Sequence, residues 1–348
     1  MQKEQVPVKK FFSLQMDPSI FAPATEIEKA QQVTTRESVS FMKDGLRRLR
    51  RNRLAMACLL IIVLIGMIAF IVPGIYPYNY TKQEVTSKNL APFQYSAKEQ
   101  ALISKGQNVF PHIMGTDALG RDYAIRVIYG TRISLLVGMG AALIVVIIGI
   151  IYGAISGYFG GKVDLILMRI VDIIYALPDV LIVILLSVAM KDIIKGSQNA
   201  LIMKMGAGMV SIFLVFGLLY WVGMARQVRG QILSIKEQEY VLASRSIGAS
   251  ASRIIRKHMI PNCVSVIIIT AAMQIPTAIF TESFLSFLGL GVSIPMPSLG
   301  SLASDARTGL VSFPHLLLFP ALSIFLIVLS FNLLGNGLRD AFDPKLRS

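Results

Sequence analysis

The sequence predicts an all-α, polytopic membrane protein with six transmembrane helices and both termini in the cytoplasm. Three observations lead to this fold class. Six apolar runs are each about 20 residues long, which is enough for a helix to cross a hydrocarbon core of about 30 Å. Only 16% of the 348 residues are charged, whereas soluble proteins usually carry about 25%. Clusters of lysine and arginine lie beside particular runs and indicate their orientation.

The apolar runs define the predicted spans in chain order. They cover residues 54–72, 133–158, 165–190, 200–224, 259–280 and 316–338. The first fifty residues are polar and contain no hydrophobic region of a cleavable signal peptide. The first run is therefore expected to stay in the protein as a membrane anchor.

The distribution of basic residues predicts which loops are cytoplasmic. A basic cluster precedes the first span: Lys43, Arg47, Arg48, Arg50, Arg51 and Arg53. A second set lies between spans four and five: Arg226, Arg229, Lys236, Arg245, Arg253, Arg256 and Lys257. Both sets fall on the same side of a six-span chain, and the positive-inside rule assigns that side to the cytoplasm.

These spans divide the chain into five segments. A cytoplasmic tail at 1–53 precedes the first span at 54–73, and an extracytoplasmic loop at 74–131 follows. A five-helix core occupies 132–340, contains a cytoplasmic loop at 237–261, and is followed by a short cytoplasmic tail at 341–348. Within the first tail, residues 38–53 have apolar side chains at helical spacing opposite the arginines, so an interfacial helix and a polar linker both remain open.

The chemistry of enzymes and of nucleic-acid binding is missing from the sequence. The closest approach to a phosphate-binding loop is the stretch 157–163, which has the wrong glycine spacing and Val163 where Ser or Thr would hold magnesium. A tight turn between spans two and three explains it better. Neither H-E-x-x-H nor G-x-S-x-G occurs, and the net charge of +14 has no basic stripe with interleaved aromatic residues. Cys58 and Cys263 have no metal-site spacing.

The loop between spans four and five has the pattern of two short helices. Residues 237–247 have helix-forming composition, Gly248 ends that helix, and Ser250 or Ser252 caps the next one. The second helix leads into span five, with Pro261 near its start. This element is suited to docking into a partner, with Val241, Leu242 and Ile247 filling a cleft. An amphipathic helix resting on the lipid surface is the alternative interpretation.

The same loop resembles the EAA loop of ATP-binding cassette (ABC) importer permeases. The resemblance covers the spacing from Ala243 to Gly248 and on to Pro261, although Leu242 and Ser244 replace the glutamate and the second alanine. A longer pattern, Y-V-x-A-x-R-x-x-G-x-S-x-x-R, is typical of the oligopeptide and dipeptide branch. Its positions here are Tyr240, Val241, Ala243, Arg245, Gly248, Ser250 and Arg253.

Four further blocks are similar to the same branch, so the resemblance extends over residues 40–348. They are Gly115 to Asp122, Gly157 to Asp164, Glu282 to Gly291, and Asn332 to Asp340 with Asp343 and Pro344. The long outer loop and the N-terminal extension favour the C-type (OppC/DppC-like) subunit over its B-type partner. The fold that this resemblance implies is the type I ABC importer permease fold.

The resemblance also implies the partners and the division of labour. The chain would form a heterodimer with a B-type permease subunit in a bacterial plasma membrane. Two cytoplasmic ATPase subunits would bind the ATP and magnesium, so this chain would hold no cofactor and no metal and would not be an enzyme. An extracytoplasmic binding protein would deliver the peptide. The residues implied in ATPase coupling are Glu239, Tyr240, Ala243, Arg245, Gly248, Ser250, Arg253 and Pro261.

Charged residues within the spans are the candidates for a pathway or gate, because charges in a bilayer usually face a protein interior or a water-filled cavity. Arg169 and Asp172 are three residues apart in span three, so a structural pair on one helix face and a pathway lining are both open. Asp179 follows Pro178, which predicts a kink. Lys204 is a further charged residue, in span four. The candidates for a pathway or gate are Asp172, Pro178, Asp179 and Glu282, and Glu282, at the outer end of span five, faces either the binding protein or the pathway.

Oligopeptide import is the predicted function, and three alternatives remain. Importers of dipeptides and of nickel or other metal chelates share this subunit type, and the sequence does not separate their substrates. An ion-coupled secondary transporter is the alternative from another class. It would predict inverted repeats and paired charges in mid-membrane, and no repeat is found in the sequence.

Overall fold

The protein is described here from a computed structural model, which is helical almost throughout. The structure describes residues 41–195, 199, 205–292 and 296–342. The predictions for the tail before residue 41, for Lys204, and for Asp343 and Pro344 lie outside the described residues. The chain divides into two units, Met1–Asp44 and Gly45–Ser348, and the account below concerns the second.

Thirteen α-helices occur in the described residues. Their bounds are α1 Phe41–Arg51, α2 Arg53–Ile75, α3 Ala97–Ile103, α4 Tyr123–Phe159, α5 Gly161–Ala176, α6 Asp179–Lys195, α7 Ala207–Val215, α8 Trp221–Lys236, α9 Glu239–Ser246, α10 Ala251–Ile254, α11 Val264–Phe287, α12 Leu299–Ala306 and α13 His315–Phe342. Within these described residues the only β-type pairing is an isolated bridge between Thr116 and Asp122. The all-α fold class is confirmed.

Five helical segments of the described chain are long and apolar enough to cross a membrane. They are Arg53–Ile75, Tyr123–Phe159, Gly208–Lys236, Ala251–Phe287 and His315–Phe342. The third predicted span, 165–190, is not one continuous helix, because α5 and α6 meet at an angle of 93°. Pro178 lies at that break and has no backbone N–H to continue a helix. The structure therefore has six crossings only if this bent pair is counted as one.

The second span begins earlier than the apolar run predicted. Helix α4 starts at Tyr123, where the Asp122 side chain caps it by accepting a hydrogen bond from the Ile125 N–H. The predicted boundary between outer loop and core, at 131, is therefore about two turns too late. The search for apolar runs did not include the first turns of α4, because these turns pack against protein, next to the outer segment, rather than against lipid.

The outer segment between α2 and α4 is folded rather than an open loop. It contains a 3₁₀ turn at Val85–Ser87 and helix α3, which begins with a capping box between Ser96 and Glu99. Gly120 lies so close to Glu84 that a Cβ atom would stand 1.8 Å from the Glu84 carbonyl oxygen. This close approach joins the two ends of the segment.

Two helical segments contain wide π turns. One, Phe216–Tyr220, joins α7 to α8, and the other, Ile255–Met259, follows α10. A 3₁₀ turn at Ile260–Cys263 then leads into α11, with Pro261 in the first turn, where its missing N–H costs least. The predicted continuation of the second loop helix into span five is confirmed, with these two irregular turns in it.

Helix α4 is at the centre of the packing and contacts α2, α8 and α11. Gly149, Gly153 and Gly157 form a stripe on α4 against α8. A Cβ atom at these positions would lie 2.4–2.8 Å from side-chain or backbone atoms of α8. Small residues at spacing four allow two helices to approach closely in a membrane, so α4 and α8 form one tightly packed pair.

Candidate functional site

Helix α9, at the centre of the loop between spans four and five, ends in a Schellman motif. Gly248 has φ +81°, its N–H donates to the Arg245 carbonyl at 3.0 Å, and the Ala249 N–H donates to the Ser244 carbonyl at 3.1 Å. An L-residue with a side chain is strained at this φ, whereas glycine is not. The prediction that Gly248 ends the first loop helix is confirmed.

The second loop helix begins where the sequence predicts. Ser250 occupies the N-cap position of α10 with an extended backbone, but its side chain makes no capping hydrogen bond. The chain therefore turns through Gly248–Ser250, and the turn is held by the Schellman hydrogen bonds rather than by a serine cap.

All of the predicted coupling residues lie on the exposed side of this loop. They are Glu239, Tyr240, Ala243, Arg245, Gly248, Ser250, Arg253 and Pro261. Apolar side chains stand among them, with Leu242 45% exposed and Ile247 86% exposed. The surface formed by these residues is called the loop surface below. Their role in coupling stays a prediction.

Val241 is not part of that surface, and its predicted place in a partner cleft is wrong. It is fully buried, in one hydrophobic cluster with Ile232, Ile235, Ile254 and Cys263. These residues belong to α8, to α10 and to the start of the next span. The buried side of α9 is therefore fixed to the membrane helices, because Val241 lies on the helix face opposite the most exposed residues.

Two aromatic contacts hold the exposed side chains of the loop. The Arg245 guanidinium lies 5.5 Å from the centre of the Tyr158 ring, close to the end of α4. Tyr240 and His258 have ring centroids 6.3 Å apart, and His258 is half-buried. The loop is thus linked to α4 as well as to α8.

An ion pair fastens the neighbouring turn between α4 and α5. Asp164 accepts two hydrogen bonds from Arg229 of α8, at 2.6 and 2.5 Å, and a third from the Ser156 hydroxyl at 2.5 Å. The stretch 157–163 is a two-glycine turn at Gly160 and Gly161 between two helices. It has no strand-to-helix context, so it is not a phosphate-binding loop.

Asp172 pairs with a helix other than the one predicted. Its carboxylate Oδ1 accepts a hydrogen bond from Nη2 of Arg226 on α8, at 2.7 Å, so the predicted pair with Arg169 on its own helix is wrong. Arg169 is exposed on α5. The spacing rule failed because a neighbouring helix placed a guanidinium closer to the carboxylate.

The other predicted pathway or gate residues lie in two separate places. Pro178 is at the break between α5 and α6, and Asp179 is the first residue of α6, although its side chain lies outside the described residues. Glu282 is fully buried at the outer end of α11, where it accepts hydrogen bonds from Ser134 at 2.8 Å and Ser286 at 2.7 Å. In this conformation Glu282 faces neither an open pathway nor the outer surface.

The outer segment contains a buried polar cluster that sequence reasoning missed. His112 lies between Asp122, with Nδ1 to Oδ2 at 2.7 Å, and Glu99, with Nε2 to Oε1 at 3.0 Å. The Tyr78 ring stacks on the imidazole at 4.6 Å. The block from Gly115 to Asp122 did stand out as a motif, but its partners Glu99 and His112 are distant in sequence.

A second outer network joins α4 to α12. Asp117 pairs with Arg121 at 2.7 Å and with Arg126, and Arg126 also approaches Asp305 at 3.7 Å. Arg126 is buried although it is charged. Burial of a guanidinium is tolerated here because carboxylates surround it. In the part of the chain that the structure describes, no group of three His, Cys, Asp or Glu residues could hold a metal ion.

Comparison with known proteins matches two parts of the chain to family profiles. Residues 146–348 match the family described as "Binding-protein-dependent transport system inner membrane component". Residues 40–92 match the "N-terminal TM domain of oligopeptide transport permease C".

Individual relatives match almost the whole chain. The "Oligopeptide transport system permease protein OppC" of Bacillus subtilis (strain 168) is 41% identical over 94% of this chain and 98% of its own length. The "Dipeptide transport system permease protein DppC" of the same strain is 45% identical over 90% of this chain and 88% of its own length. The OppC protein of Haemophilus influenzae is 40% identical over 89% of this chain and 91% of its own length.

Proposed function

Because the chain belongs to the family of binding-protein-dependent transport system inner membrane components, we propose that it is the C-type permease subunit of an ABC importer of oligopeptides. Members of this family are non-catalytic, multi-pass subunits of the bacterial plasma membrane and depend on separate ATPase and binding-protein subunits. The family is the one that the loop motif predicted. The proposed partners of this chain are one B-type permease, two ATPase subunits and one peptide-binding protein.

The loop surface is the observation that carries this proposal. It displays apolar and charged side chains on a short helix whose other side is buried against α8. A rigid element of this kind passes the displacement of an ATPase subunit on to the membrane helices, whereas a flexible loop would change conformation instead. We infer that α9 inserts into a cleft of one ATPase subunit, with Leu242 and Ile247 as apolar contacts and Arg245 opposite partner carboxylates.

The packing of the core provides a path for the movement. Helix α9 is fixed to α8 through Val241, and α8 is fixed to α4 through the glycine stripe. The Asp164–Arg229 pair also joins α8 to α5. When ATP binding brings the two ATPase subunits together, the displacement of α9 would move α8 and α4 as one body. The transporter would then open outward to the docked binding protein, and ATP hydrolysis would reset it.

Substitution of Gly248 tests the role of the loop. Nothing lies within 4 Å of a Cβ atom added at this position, so Gly248→Val and Gly248→Asn both fit and differ only in how well they tolerate positive φ. Asparagine tolerates this region, while a β-branched residue is strained by roughly 1–2 kcal/mol or more. We expect Gly248→Val to reduce binding-protein-stimulated ATP hydrolysis and labelled peptide uptake about tenfold, and Gly248→Asn to retain most of both.

The assay uses the complete transporter in proteoliposomes: this chain, the B-type permease, two ATPase subunits and the binding protein. Normal stimulation and uptake in the valine variant would show that the loop is a surface helix without a coupling role. Unlabelled dipeptides, pentapeptides and a nickel chelate, each added as competitor, separate the substrate alternatives. The oligopeptide proposal fails if only the dipeptide or only the chelate competes, and the importer proposal fails if wild-type uptake is independent of ATP.

A further inference from the structure

The break between α5 and α6 exposes backbone where a membrane protein usually keeps it covered. Helix α5 ends at Ala176, Leu177 has extended φ and ψ angles of −77° and 140°, and the next helix leaves at 93°. The Leu177 N–H still donates to the Ile174 carbonyl at 3.3 Å, but the helix does not continue past this turn. At membrane depth such backbone is tolerated only where it is buried in protein or lines a water-filled cavity.

A cavity of about 460 Å³ lies at this break. Its lining combines Tyr175 at the end of α5 and Pro178 at the break with Leu219 in the π turn before α8 and Gly223 in the first turn of α8. The volume is within the range of sites that hold small ligands, about 300–1,000 Å³. The wall is mostly apolar, with the two tyrosines Tyr175 and Tyr220 as its polar side chains.

An open ion pair stands at the rim of this cavity. The side chains of Asp172 and Arg226, which are hydrogen-bonded at 2.7 Å, remain 53% and 36% exposed. The guanidinium of Arg226 lies 4.2 Å from the centre of the Tyr175 ring, which forms part of the cavity wall. The Tyr175 ring therefore holds the arginine beside the cavity.

The exposed charges of this pair favour a water-filled cavity over contact with lipid. Ionisable groups within spans are costly against lipid and usually face a cavity. The buried centres of protein interfaces are depleted in charged residues, and a concave site beside an open pair fits a flat subunit contact poorly. The Asp164–Arg229 pair, which joins the same two helices, has a carboxylate only 16% exposed, as expected for a structural pair.

We propose that Asp172, Arg226, Tyr175 and the cavity at the break form a binding site for the main chain and charged termini of a peptide in transit. The guanidinium can hold a carboxylate through paired hydrogen bonds, and Asp172 can hold an ammonium group. The tyrosine hydroxyls of the cavity wall can exchange hydrogen bonds with the peptide main chain. These are features that all peptides share, so the site recognises the class of substrate rather than a particular side chain. The inference rests on the proposed function above.

Two matched double variants test the site. Asp172→Asn with Arg226→Gln removes the pair at the cavity, and Asp164→Asn with Arg229→Gln removes the pair that joins the same helices elsewhere. In the reconstituted transporter we expect the first to raise the KM of peptide uptake about tenfold, because a charge-assisted hydrogen bond to the substrate is lost. The second removes a link in the proposed path of movement, so it should lower thermal stability and the maximal rate of uptake but leave KM unchanged. Equal KM values in the first variant and the wild type would overturn the site.

A charge exchange separates recognition from structure. Asp172→Arg combined with Arg226→Asp preserves an ion pair between α5 and α8 but reverses its polarity. We expect the exchanged variant to assemble with the B-type subunit and to hydrolyse ATP as the wild type does. Its KM for peptide uptake should be raised above the wild-type value, as in the Asp172→Asn and Arg226→Gln double variant. Wild-type KM in this variant would mean that the pair is only structural, and failed assembly would mean that this face is a subunit contact. If the wild-type transporter itself takes up no peptide, the proposed function has failed, which is distinct from these outcomes.

Discussion

At the scale of single residues, His112 is the best-defined polar group of the outer segment. Burial lowers the pKa of its imidazole, but the hydrogen bonds to Asp122 and Glu99 outweigh burial, so the net shift of the His112 pKa is upward. Burial raises the pKa of Glu99, and hydrogen bonds from Ser96 and His112 outweigh it and lower that pKa. The raised pKa of His112 and the lowered pKa of Glu99 both favour the charged forms of these two groups. The sequence could not predict this cluster, because its members come from three separate segments.

This arrangement predicts that the protein loses stability as the pH rises. Because the pKa of His112 is raised in the folded state, its contribution is complete below about 6.5, the pKa of an unfolded-state histidine, and is lost as the pH passes through the folded-state value. The pKa of Glu99 is lowered in the folded state, so its contribution to stability is lost only in acid, as the pH falls below the ordinary pKa of 4.5 and through the folded-state value. Burial also raises the pKa of Tyr78 to about 12, so Tyr78 stays neutral between pH 6 and pH 9.

Thermal unfolding of the detergent-solubilised protein at pH 6, 7, 8 and 9 would measure the effect. We expect Tm to fall across this series by about 2–4 °C for each kcal/mol lost. The His112→Gln variant should start lower and show a flatter dependence on pH. If the wild type and the variant change in parallel, His112 is not the titrating group.

At the scale of elements, α9 combines a buried face and an exposed face in two turns. Val241 is fully buried and the adjacent Leu242 is 45% exposed. Sequence pattern predicted the existence of this helix and its end at Gly248. It did not predict which apolar residues face a partner, because in so short a helix that choice depends on how the helix is rotated against α8.

Alanine substitutions at these neighbouring positions should have different effects. Val241→Ala removes two buried carbon atoms and should lower the free energy of unfolding by about 1.5 kcal/mol. Leu242→Ala removes exposed surface, so we expect a change in stability within about 0.5 kcal/mol but weaker binding of the ATPase subunit, by about 1 kcal/mol or more. Thermal unfolding and a titration of the solubilised permease pair with the ATPase subunit measure the two quantities. The reverse pattern would mean that α9 does not present Leu242 to a partner.

At the scale of the whole molecule, the polar sites lie at opposite ends of the helical bundle. The outer end contains the His112 and Asp117 clusters and the buried Glu282, and the other end contains the loop surface and the Asp164–Arg229 pair. The Asp172–Arg226 pair and the break at Pro178 lie between them. This order along the spans is the one that the proposed path requires, from the predicted outer docking face to the predicted inner coupling element.

Reagent access to engineered cysteines would test the predicted orientation of the bundle. Gln107→Cys is in the outer segment and Ser246→Cys is in α9, and both positions are exposed. The native Cys58 and Cys263 are buried and provide a low background. In intact cells we expect a membrane-impermeant thiol reagent to label the Gln107→Cys variant, and to label Ser246→Cys only after permeabilisation. Labelling of Ser246→Cys in intact cells would reverse the assigned topology.

The sequence by itself determined the fold class, the family and the existence of the two-helix loop, because these depend on local features. Long apolar runs, a glycine at a helix end and motif spacing keep their meaning whatever the helices pack against. Only the tertiary structure decided that Val241 is an anchor, that Asp172 pairs with Arg226 rather than Arg169, that span three is broken at Pro178, and that His112 joins Glu99 and Asp122. Each depends on which groups distant in the chain come within hydrogen-bonding or packing distance, and hydropathy and helical periodicity carry no information about those distances.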